Sequence, residues 1–517
     1  MLSVLIWFPC IAALVIALLP QSIAVAKVRL AALFLAGATL LWSLGLVSQF
    51  DLGNATLQFQ ESLPWLTDLG LDYQLGVDGL SLPLLILNSL LTWIAIYSSR
   101  VETKRPRLFY ALILLINGGV AGAFVAQNLL LFFLFYEVEL IPFYLLISIW
   151  GGAQQGSAAT KFLLYTATSG GLILAGFLGA IWFGEADSFA YEKVLGQTLP
   201  LNIQCVLLAL LLLGFGIKTP LVPLHTWLPD TYVAASTPVA ILLGGVLAKL
   251  GTYGIFRFCL PLFPEAWRVF SPWLATWAVV SVLYGALAAI AQKDIKRMVA
   301  YSSVGHMGYI LLAAAAHTQL SLVGAISQMF AHGLILALLF HLVGLIETKV
   351  GTRDLNVLNG LMNPVRGLPL VSALLVLAGM ASAGIPGLVG FIAEFLVFQG
   401  SYTAFPLQTL LSVVGTGLTA VYFVILLNRT CFGRLDNRLA YFPKVAWRER
   451  IPALVLTLLI VVLGIQPAWL VRWIEPTSAA LMAAAHLPTP LVKTVGLTIP
   501  PSFAKDQPCL RSPLLGV

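Results

Sequence analysis

Long apolar stretches separated by short polar loops run through almost the whole chain. Most of the stretches are close to the roughly 20 residues that an α-helix needs to cross a bilayer. Spans are predicted at 2–19, 28–48, 79–97, 108–126, 128–150, 161–183, 203–224, 239–260, 271–291, 298–316, 320–346, 368–400 (with a break), 407–427 and 452–472. The pattern therefore predicts an all-α integral membrane protein with about 14 transmembrane helices.

Composition excludes a soluble domain and several kinds of cofactor site. Of the 517 residues, 60% are hydrophobic and only 9% are charged, whereas soluble domains carry roughly 25% charged residues. The first apolar stretch lacks the basic start of a signal peptide, so we interpret it as the first span. The five cysteines form no C-x-x-C pair, and no glycine-rich nucleotide loop is present. We expect no metal or cofactor to be bound by this chain alone.

Basic residues concentrate in every second loop between the predicted spans. These loops contain Lys27, Arg29, Arg100, Lys104, Arg105, Arg107, Lys161, Lys293, Lys296, Arg297, Lys349, Arg353, Arg366, Arg429, Arg434, Arg438, Lys444, Arg448 and Arg450. The other interhelical loops contain only Lys193 and Arg268, and the loop at 49–78 is acidic. Because basic loops stay on the cytoplasmic side, we expect both chain ends outside and an even number of helices. The Pro-rich tail from 475 to 517 is expected to be irregular or to lie against a neighbouring subunit.

Few ionisable residues lie within the predicted spans, and such residues are functional candidates because charge is costly in hydrocarbon. The set comprises Glu137, Glu139, Lys218, Lys249, Glu394, His306, His332 and His341. Glu137 and Glu139 are two residues apart, so on a helix they point to nearly opposite sides. One is expected to face an interior partner, and the other a different neighbour or a cavity. Purely structural pairing is the alternative for both.

Lys218 lies where its helix is expected to break, in GFGIKTPLVPLHTWLP. Pro220 and Pro223 follow it closely, and broken helices at membrane depth line buried or hydrated cavities. Burial disfavours the charged ammonium and a nearby carboxylate favours it, so a moving carboxylate would load or unload a proton. Lys249 lies at a similar depth in the next helix, where it either relays the proton or snorkels to the surface. Arg257, near the end of that helix, is expected to be an interfacial anchor.

The second half of the chain repeats this pattern. The segment SAGIPGLVGFIAEFLVF has a Gly/Pro interruption at Pro386, with Glu394 just beyond it. Interrupted helices in two halves indicate inverted repeats around a transport path. His306 and His332 lie between the two breaks and are suited to a proton wire, although a packed, hydrogen-bonded histidine is the alternative for each. His341 is interpreted as structural.

Six segments together resemble the antiporter-like membrane subunits of complex I, of the NuoM/NdhD type. They are VDGLSLPLL, FLFYEVELIPFYLLISIWGG, GIKTPLVPLHTWLPD, QKDIKRMVAYSSVGHMGY, SQMFAHGL and GIPGLVGFIAEF. The resemblance covers roughly 75–470 and implies two inverted five-helix repeats, each with a broken helix. It divides the chain into three N-terminal helices (1–107), a first repeat (108–262), a second repeat (263–428), and a last helix with the tail (429–517).

The resemblance also implies roles for individual residues. Glu137 would partner Lys218, and the proton path would continue through Lys249, His332 and Glu394. Accessory candidates are Glu139, His306, His225 and Asp230. The chain departs from the family pattern at two positions near the proton uptake region, with Tyr232 in place of a histidine and Asn128 in place of an acid.

The implied function is proton translocation within a complex I-like oxidoreductase that passes electrons from NAD(P)H or ferredoxin to quinone or plastoquinone. Iron–sulfur clusters, quinone and electron donor would be bound by other subunits, and sister antiporter-like subunits would be membrane partners. The wording of the motifs is similar to cyanobacterial and plastid chains, which suggests a thylakoid or bacterial inner membrane. The altered uptake region suggests the CO2-uptake form, with a carbonic-anhydrase-like partner. Rival hypotheses are an Mrp-type cation/proton antiporter subunit and a non-conducting scaffold.

Overall fold

The computed structural model describes residues 1–99, 104–195, 199–435 and 442–484. Within these residues there are 21 α-helical segments and one β-hairpin. The first half contains α1 (Leu2–Leu18), α2 (Val25–Val47), β1 (Gln58–Leu66), β2 (Leu71–Val77), α3 (Ser81–Ser98), α4 (Pro106–Val125), α5 (Leu129–Val138), α6 (Leu140–Trp150), α7 (Gln155–Gly184), α8 (Tyr191–Leu195), α9 (Leu201–Lys218), α10 (Trp227–Ala234), α11 (Thr237–Leu242), α12 (Ala248–Gly254) and α13 (Leu260–Leu262). The second half contains α14 (Pro264–Ile290), α15 (Ile295–Ala316), α16 (Gln319–Val350), α17 (Pro369–Ser382), α18 (Val389–Tyr402), α19 (Pro406–Thr430), α20 (Trp447–Ile465) and α21 (Ala468–Ala484).

Helices of membrane-spanning length dominate the structure. Within the described residues, 11 helices are long and apolar enough to cross a bilayer, or up to 12 if the bent pair of α20 and α21 is counted as one span. Three further apolar helices, α1, α17 and α18, are shorter. The chain is thus an integral, multi-pass membrane protein, and the prediction of an all-α fold is confirmed for its membrane part. The total of fourteen spans and the four-part division of the chain remain predictions.

The acidic loop at 49–78 contains an antiparallel β-hairpin, which the all-α prediction did not include. Strand β2 reads LDYQLGV, and its alternate residues Leu71, Tyr73, Leu75 and Val77 are buried, as the period of two in a strand requires. The hairpin holds the start of the chain, because the Glu61 carboxylate accepts hydrogen bonds from the backbone N–H groups of Leu2 and Ser3. We call this end of the bundle the hairpin side and the opposite end, where the basic loops lie, the basic side.

A broken helix occurs in each half of the chain, as predicted. In the first half α9 ends at Lys218, and the chain resumes as a helix only at α10. In the second half α17 ends at Ser382 and α18 begins at Val389. Between them, Gly384 and Gly387 adopt φ values of +68° and +90°, which glycine tolerates at little cost. The glycines of this segment therefore allow the reversal that the break requires.

The helix that carries Lys249 is irregular on both sides of that residue. Between α11 and α12 the segment Leu243–Leu247 is a π-helix, and Ile255–Cys259, after α12, is a second one. A π-helical turn widens the backbone ladder and often marks a functional position. Lys249 therefore lies on a short regular segment between two such turns.

Arg257 is a buried ion-pair partner and not the interfacial anchor that the sequence suggested. Its side chain is on the second π-helical turn, and its Nη2 lies 2.6 Å from Asp78 Oδ2. Its Nε also donates to the hydroxyl of Tyr253 at 3.1 Å. The prediction was wrong because Asp78, just after the hairpin, supplies a buried carboxylate partner, and the span pattern alone does not show this long-range contact.

The C-terminal tail is more regular than expected up to residue 484. Helix α21 extends over the first part of the segment predicted to be irregular. It contacts the start of α3 on the hairpin side, where the Gly79 N–H donates to Thr477 Oγ1 at 2.8 Å. Residues 485–517 lie outside the described residues.

The buried Arg257–Asp78 pair gives a prediction about stability. Replacing Arg257→Met leaves the Asp78 carboxylate buried without its cation, a change that typically costs about 3–5 kcal/mol. We expect a lower melting temperature of the purified complex and less of the chain in membranes. The matched control is Lys193→Met, which removes an exposed ion pair with Asp187 and should leave both quantities unchanged. Equal melting temperatures for the two variants would show that the buried pair is not needed.

Candidate functional site

The first part of the site is a buried ion pair between Lys218 and Glu139. Lys218 Nζ contacts Glu139 Oε1 directly, and the two side chains are 1% and 0% exposed. The ammonium also lies over the ring of Tyr136, 4.2 Å from its centroid. The Tyr136 hydroxyl is hydrogen-bonded to Ser169 Oγ at 3.0 Å, so the ring is held in place beneath the charge.

Glu139, and not Glu137, is therefore the carboxylate that pairs with Lys218, which corrects the pairing implied by the family resemblance. Helix α5 ends at Val138 and α6 begins at Leu140, so Glu139 lies at the junction between them. Glu137 is only half-buried and points towards α7, where any side chain larger than hydrogen at Gly170 would collide with its carboxylate. The two glutamates point to different sides, as their spacing predicted, but in the opposite assignment.

The second part of the site joins Lys249 to His332. Lys249 Nζ lies 2.8 Å from His332 Nδ1 and donates to the carbonyl oxygen of Gly244 at 2.6 Å. Both side chains are buried. Lys249 thus does not snorkel to a surface, because its ammonium is directed into the second half of the molecule. The Gly244 carbonyl belongs to the first π-helical turn.

His306 continues the row from His332 to Glu394. The two imidazole rings lie 5.2 Å apart, centroid to centroid. His306 Nδ1 is 3.4 Å from Glu394 Oε1, and its Nε2 is 3.0 Å from Ser382 Oγ. The side-chain amide of Gln328 lies 3.2 Å from the same Nδ1. A proton on either His306 or Glu394 would therefore lie between a nitrogen and a carboxylate that can exchange it.

Two hydroxyl groups extend the row beyond Glu394, and sequence reasoning did not identify them. Thr416 Oγ1 donates to Glu394 Oε2 at 3.2 Å, and the Tyr309 hydroxyl is 3.0 Å from Thr416 Oγ1. A weak signal was available, because Tyr309 follows His306 by three residues and lies on the same face of α15. Thr416 gave no such signal, since a threonine in a span is most often hydrogen-bonded to its own helix.

Lys218 and Lys249 are not in direct contact in the described part of the chain. Their helices nevertheless approach closely, because a methyl group at Gly251 of α12 would lie 2.8 Å from the Phe215 carbonyl oxygen and the Thr219 N–H nitrogen. The Thr219 hydroxyl at this contact is buried and has no hydrogen-bond partner among the described residues. The row therefore has two parts, Glu139–Lys218 and Lys249–His332–His306–Glu394, with a polar atom at the contact between their helices.

The accessory candidates His225 and Asp230 lie apart from the row, near the basic side. Asp230 forms ion pairs with Lys161 at 2.8 Å and with Arg297 at 3.1 Å. His225 lies in the segment between α9 and α10, and its ring packs edge-to-face on Tyr284 at 4.9 Å. The structure does not bring either residue into contact with Lys218.

Three residues without a place in the row have structural roles. The His341 ring is hydrogen-bonded to Ser98 Oγ at 3.1 Å and lies 3.0 Å from the Glu449 carbonyl oxygen, which fits the structural role predicted for it. Asn128 caps α5, because its Oδ1 accepts from two backbone N–H groups at the start of that helix. The Tyr232 hydroxyl donates to the Leu243 carbonyl at 3.1 Å. The two departures from the family pattern are thus occupied by residues with local hydrogen bonds.

Comparison with curated sequences gives a consistent result. The family model described as NADH:quinone oxidoreductase/Mrp antiporter, TM, matches residues 126–419, which is more than half of the chain. A NAD(P)H-quinone oxidoreductase chain 4 from Synechococcus sp. (strain JA-2-3B'a(2-13)) is 40% identical over 497 residues, covering 93% of this chain and 92% of that protein. Another, from Microcystis aeruginosa (strain NIES-843 / IAM M-2473), is 43% identical over 395 residues, covering 75% and 71%.

Solved structures give the same answer for the fold. A chain of respiratory complex I from Thermus thermophilus matches with a TM-score of 0.86 and 30% identity, over 94% of this chain and 100% of that one. A chain of the Mrp complex from Dietzia sp. DQ12-45-1b matches with a TM-score of 0.82 and 22% identity, over 94% and 99%, which is a likeness of fold alone. The resemblance found in the sequence is confirmed, and the chain belongs to the NADH:quinone oxidoreductase/Mrp antiporter family of membrane subunits.

Proposed function

We propose that this chain is a proton-translocating membrane subunit of a complex I-like quinone oxidoreductase. The observation that carries the proposal is the buried row itself, in which one acid–base pair and a second chain of four acid–base groups lie at membrane depth. Buried ionisable groups are costly in a membrane unless a function or a partner requires them. The curated relatives are named as NAD(P)H-quinone oxidoreductase chains, which supports the coupling of this row to quinone reduction.

The proposed direction follows from the distribution of charge. The basic side would face the cytoplasm by the positive-inside rule, and the hairpin side would face outward. Protons would be taken up from the basic side at Lys218, pass to Lys249 and then through His332 and His306, and leave from Glu394. The Thr219 hydroxyl, which has no partner within the described chain, would hold a water molecule that joins the two parts of the row.

The Lys218–Glu139 pair would be the element that loads and releases the proton. With the pair closed, the carboxylate stabilises the buried ammonium. At an effective dielectric constant of 20, separating two opposite charges from 4 Å costs about 4 kcal/mol. Opening the pair would therefore be sufficient to drive the proton from Lys218 towards Lys249. A conformational change that starts at the redox centre would then need only to separate Lys218 from Glu139.

Redox chemistry would take place on other subunits of the complex. We propose that iron–sulfur clusters, quinone and the electron donor, NAD(P)H or ferredoxin, are bound there, and that sister antiporter-like chains and lipid surround this one. The cyanobacterial source of the relatives supports a thylakoid location, and the CO2-uptake form with a carbonic-anhydrase-like partner is the more specific proposal. An Mrp-type antiporter is the alternative, and it would show sodium-dependent transport and partners without redox centres.

The two neighbouring glutamates give the first functional prediction. Glu139→Gln removes the carboxylate that holds the Lys218 proton, so the number of protons translocated per electron should fall while the complex still assembles. Glu137→Gln is the matched control, since it makes the same change two residues away, and we expect a smaller effect. Proton uptake by membrane vesicles is measured together with donor oxidation. If proton translocation falls further in Glu137→Gln than in Glu139→Gln, Glu137 is the functional partner of Lys218 and the assignment to Glu139 is wrong.

The position of His306 between His332 and Glu394 gives the second functional prediction. His306→Phe keeps an aromatic ring of similar size but removes both ring nitrogens between His332 and Glu394, so proton translocation per electron should decrease. His341→Phe removes an equally buried histidine outside the row. The complex that assembles with this variant should translocate as many protons per electron as wild type. The same vesicle assay, normalised to donor oxidation, compares them. Equal ratios in the two variants would exclude His306 from the path.

A further inference from the structure

Six aromatic side chains form a continuous buried cluster on the hairpin side of Lys218. They are Phe132, Tyr136, Phe177, Phe215, Tyr253 and Phe258, and we call this cluster the aromatic plug. Phe132 is at its centre, with its ring 4.6 Å from Phe258 and between 5.5 and 6.2 Å from each of the other four. All six side chains are buried. The rings come from α5, α7, α9, α12 and the second π-helical turn.

The plug separates two buried ion pairs. At its inner end the ring of Tyr136 lies beneath the Lys218 ammonium. At its outer end the ring of Tyr253 lies 5.4 Å from the guanidinium of Arg257, which is paired with Asp78 next to the hairpin. Phe132 precedes Glu139 by seven residues, which corresponds to about 10 Å along a helix. A layer of rings of roughly this thickness thus lies between the first proton site and the hairpin side.

The layer offers few groups that could relay a proton. Its polar side-chain atoms are the two tyrosine hydroxyl groups, and the proton of each is already donated in a hydrogen bond. The Tyr136 hydroxyl is bonded to Ser169, and Ser169 Oγ in turn donates to the Gly214 carbonyl. The Tyr253 hydroxyl donates to the Phe124 carbonyl at 3.0 Å and accepts from Arg257. A proton crossing this layer would need a hydrated path, and packed apolar interiors stay dry.

The second half of the molecule has no comparable cluster on the hairpin side of Glu394 within the described residues. The ring contact there joins Tyr309 to Phe398 at 5.4 Å. Tyr309 itself belongs to the hydroxyl chain that extends from Glu394 through Thr416. The hairpin side is therefore closed by aromatic rings next to Lys218, while hydroxyl groups lie next to Glu394.

We propose that the aromatic plug is a proton barrier that prevents direct exchange between Lys218 and the aqueous phase on the hairpin side. A proton loaded at Lys218 then leaves only through the second half of the row. The Arg257–Asp78 ion pair covers the outer end of the layer and is hydrogen-bonded to Tyr253. This inference rests on the proposed function, because it assumes that Lys218 carries protons.

The test measures passive proton leak through the assembled complex in proteoliposomes without an electron donor. A pH gradient is imposed, and its decay is followed with a fluorescent dye for wild type and for Phe132→Ser, which places a polar group and space for water at the centre of the plug. We expect a several-fold faster decay. Phe132→Leu keeps the layer apolar and should decay like wild type. Phe162→Ser is the matched control, since Phe162 is equally buried against Phe143 and Trp227 in the half nearer the basic side.

A second variant allows the same test if the complex with Phe132→Ser does not assemble. Phe177→Ser changes a ring at the edge of the plug, which contacts Phe132 and Phe258, and the same leak is expected from it. Adding Lys218→Met to either serine variant should abolish the leak, because the leaking proton passes through Lys218. A leak that persists without Lys218, or one equally large in Phe162→Ser or Phe132→Leu, would overturn the barrier. Decay of the pH gradient at the wild-type rate in both serine variants would also overturn the barrier.

Failure of the barrier and failure of the proposed function give different results. If Lys218→Met translocates protons normally during turnover, the proposed function is wrong whatever the leak shows. If Lys218→Met stops translocation through this chain but the serine variants do not leak, the row is correct and the plug is only packing.

Discussion

The ion pair between Lys218 and Glu139 is the interaction on which the rest of the structure depends. Neither charge is favourable alone at full burial, and each makes the other possible. Lys218 lies at the end of α9, where the chain breaks. Glu139 lies between α5 and α6, which together form one span, Leu129–Trp150. The break after Lys218 therefore lies directly beside the carboxylate of a neighbouring span.

The arrangement around this pair supports the proposed direction of proton transfer along the row. Aromatic rings close the path towards the hairpin side, and the Lys249 ammonium, one helix further along the chain, is directed towards His332. From there each polar group has its neighbour on the side of Glu394. The two π-helical turns place Lys249 between them on a short helical segment, and Arg257 on the second turn is anchored to Asp78. Local backbone irregularity and buried charge thus occur together along this one helix.

The sequence predicted the membrane helices and most residues of the row, with Glu139 and His306 as accessory candidates only, because these features depend on local composition. Apolar runs of the right length and isolated charges within them are visible in any single chain. The partner of Lys218 could not be predicted in the same way. Choosing between Glu137 and Glu139 requires knowing which neighbour each carboxylate faces, and this depends on long-range contacts such as that of Glu137 with Gly170 of α7. The hairpin, the Arg257 pair and the Thr416–Tyr309 hydroxyl chain are long-range contacts and were missed for the same reason.

The most direct test of the central claim is the proton-to-electron ratio of a complex that carries Lys218→Arg. Arginine keeps a positive charge opposite Glu139, so the pair and the assembly should be preserved, but it does not release its proton in proteins. Donor oxidation and proton uptake are measured together in sealed vesicles, with the amount of assembled complex as reference. We expect normal assembly with fewer protons translocated per electron. A normal ratio would show that Lys218 serves only as a fixed charge and that protons take another path.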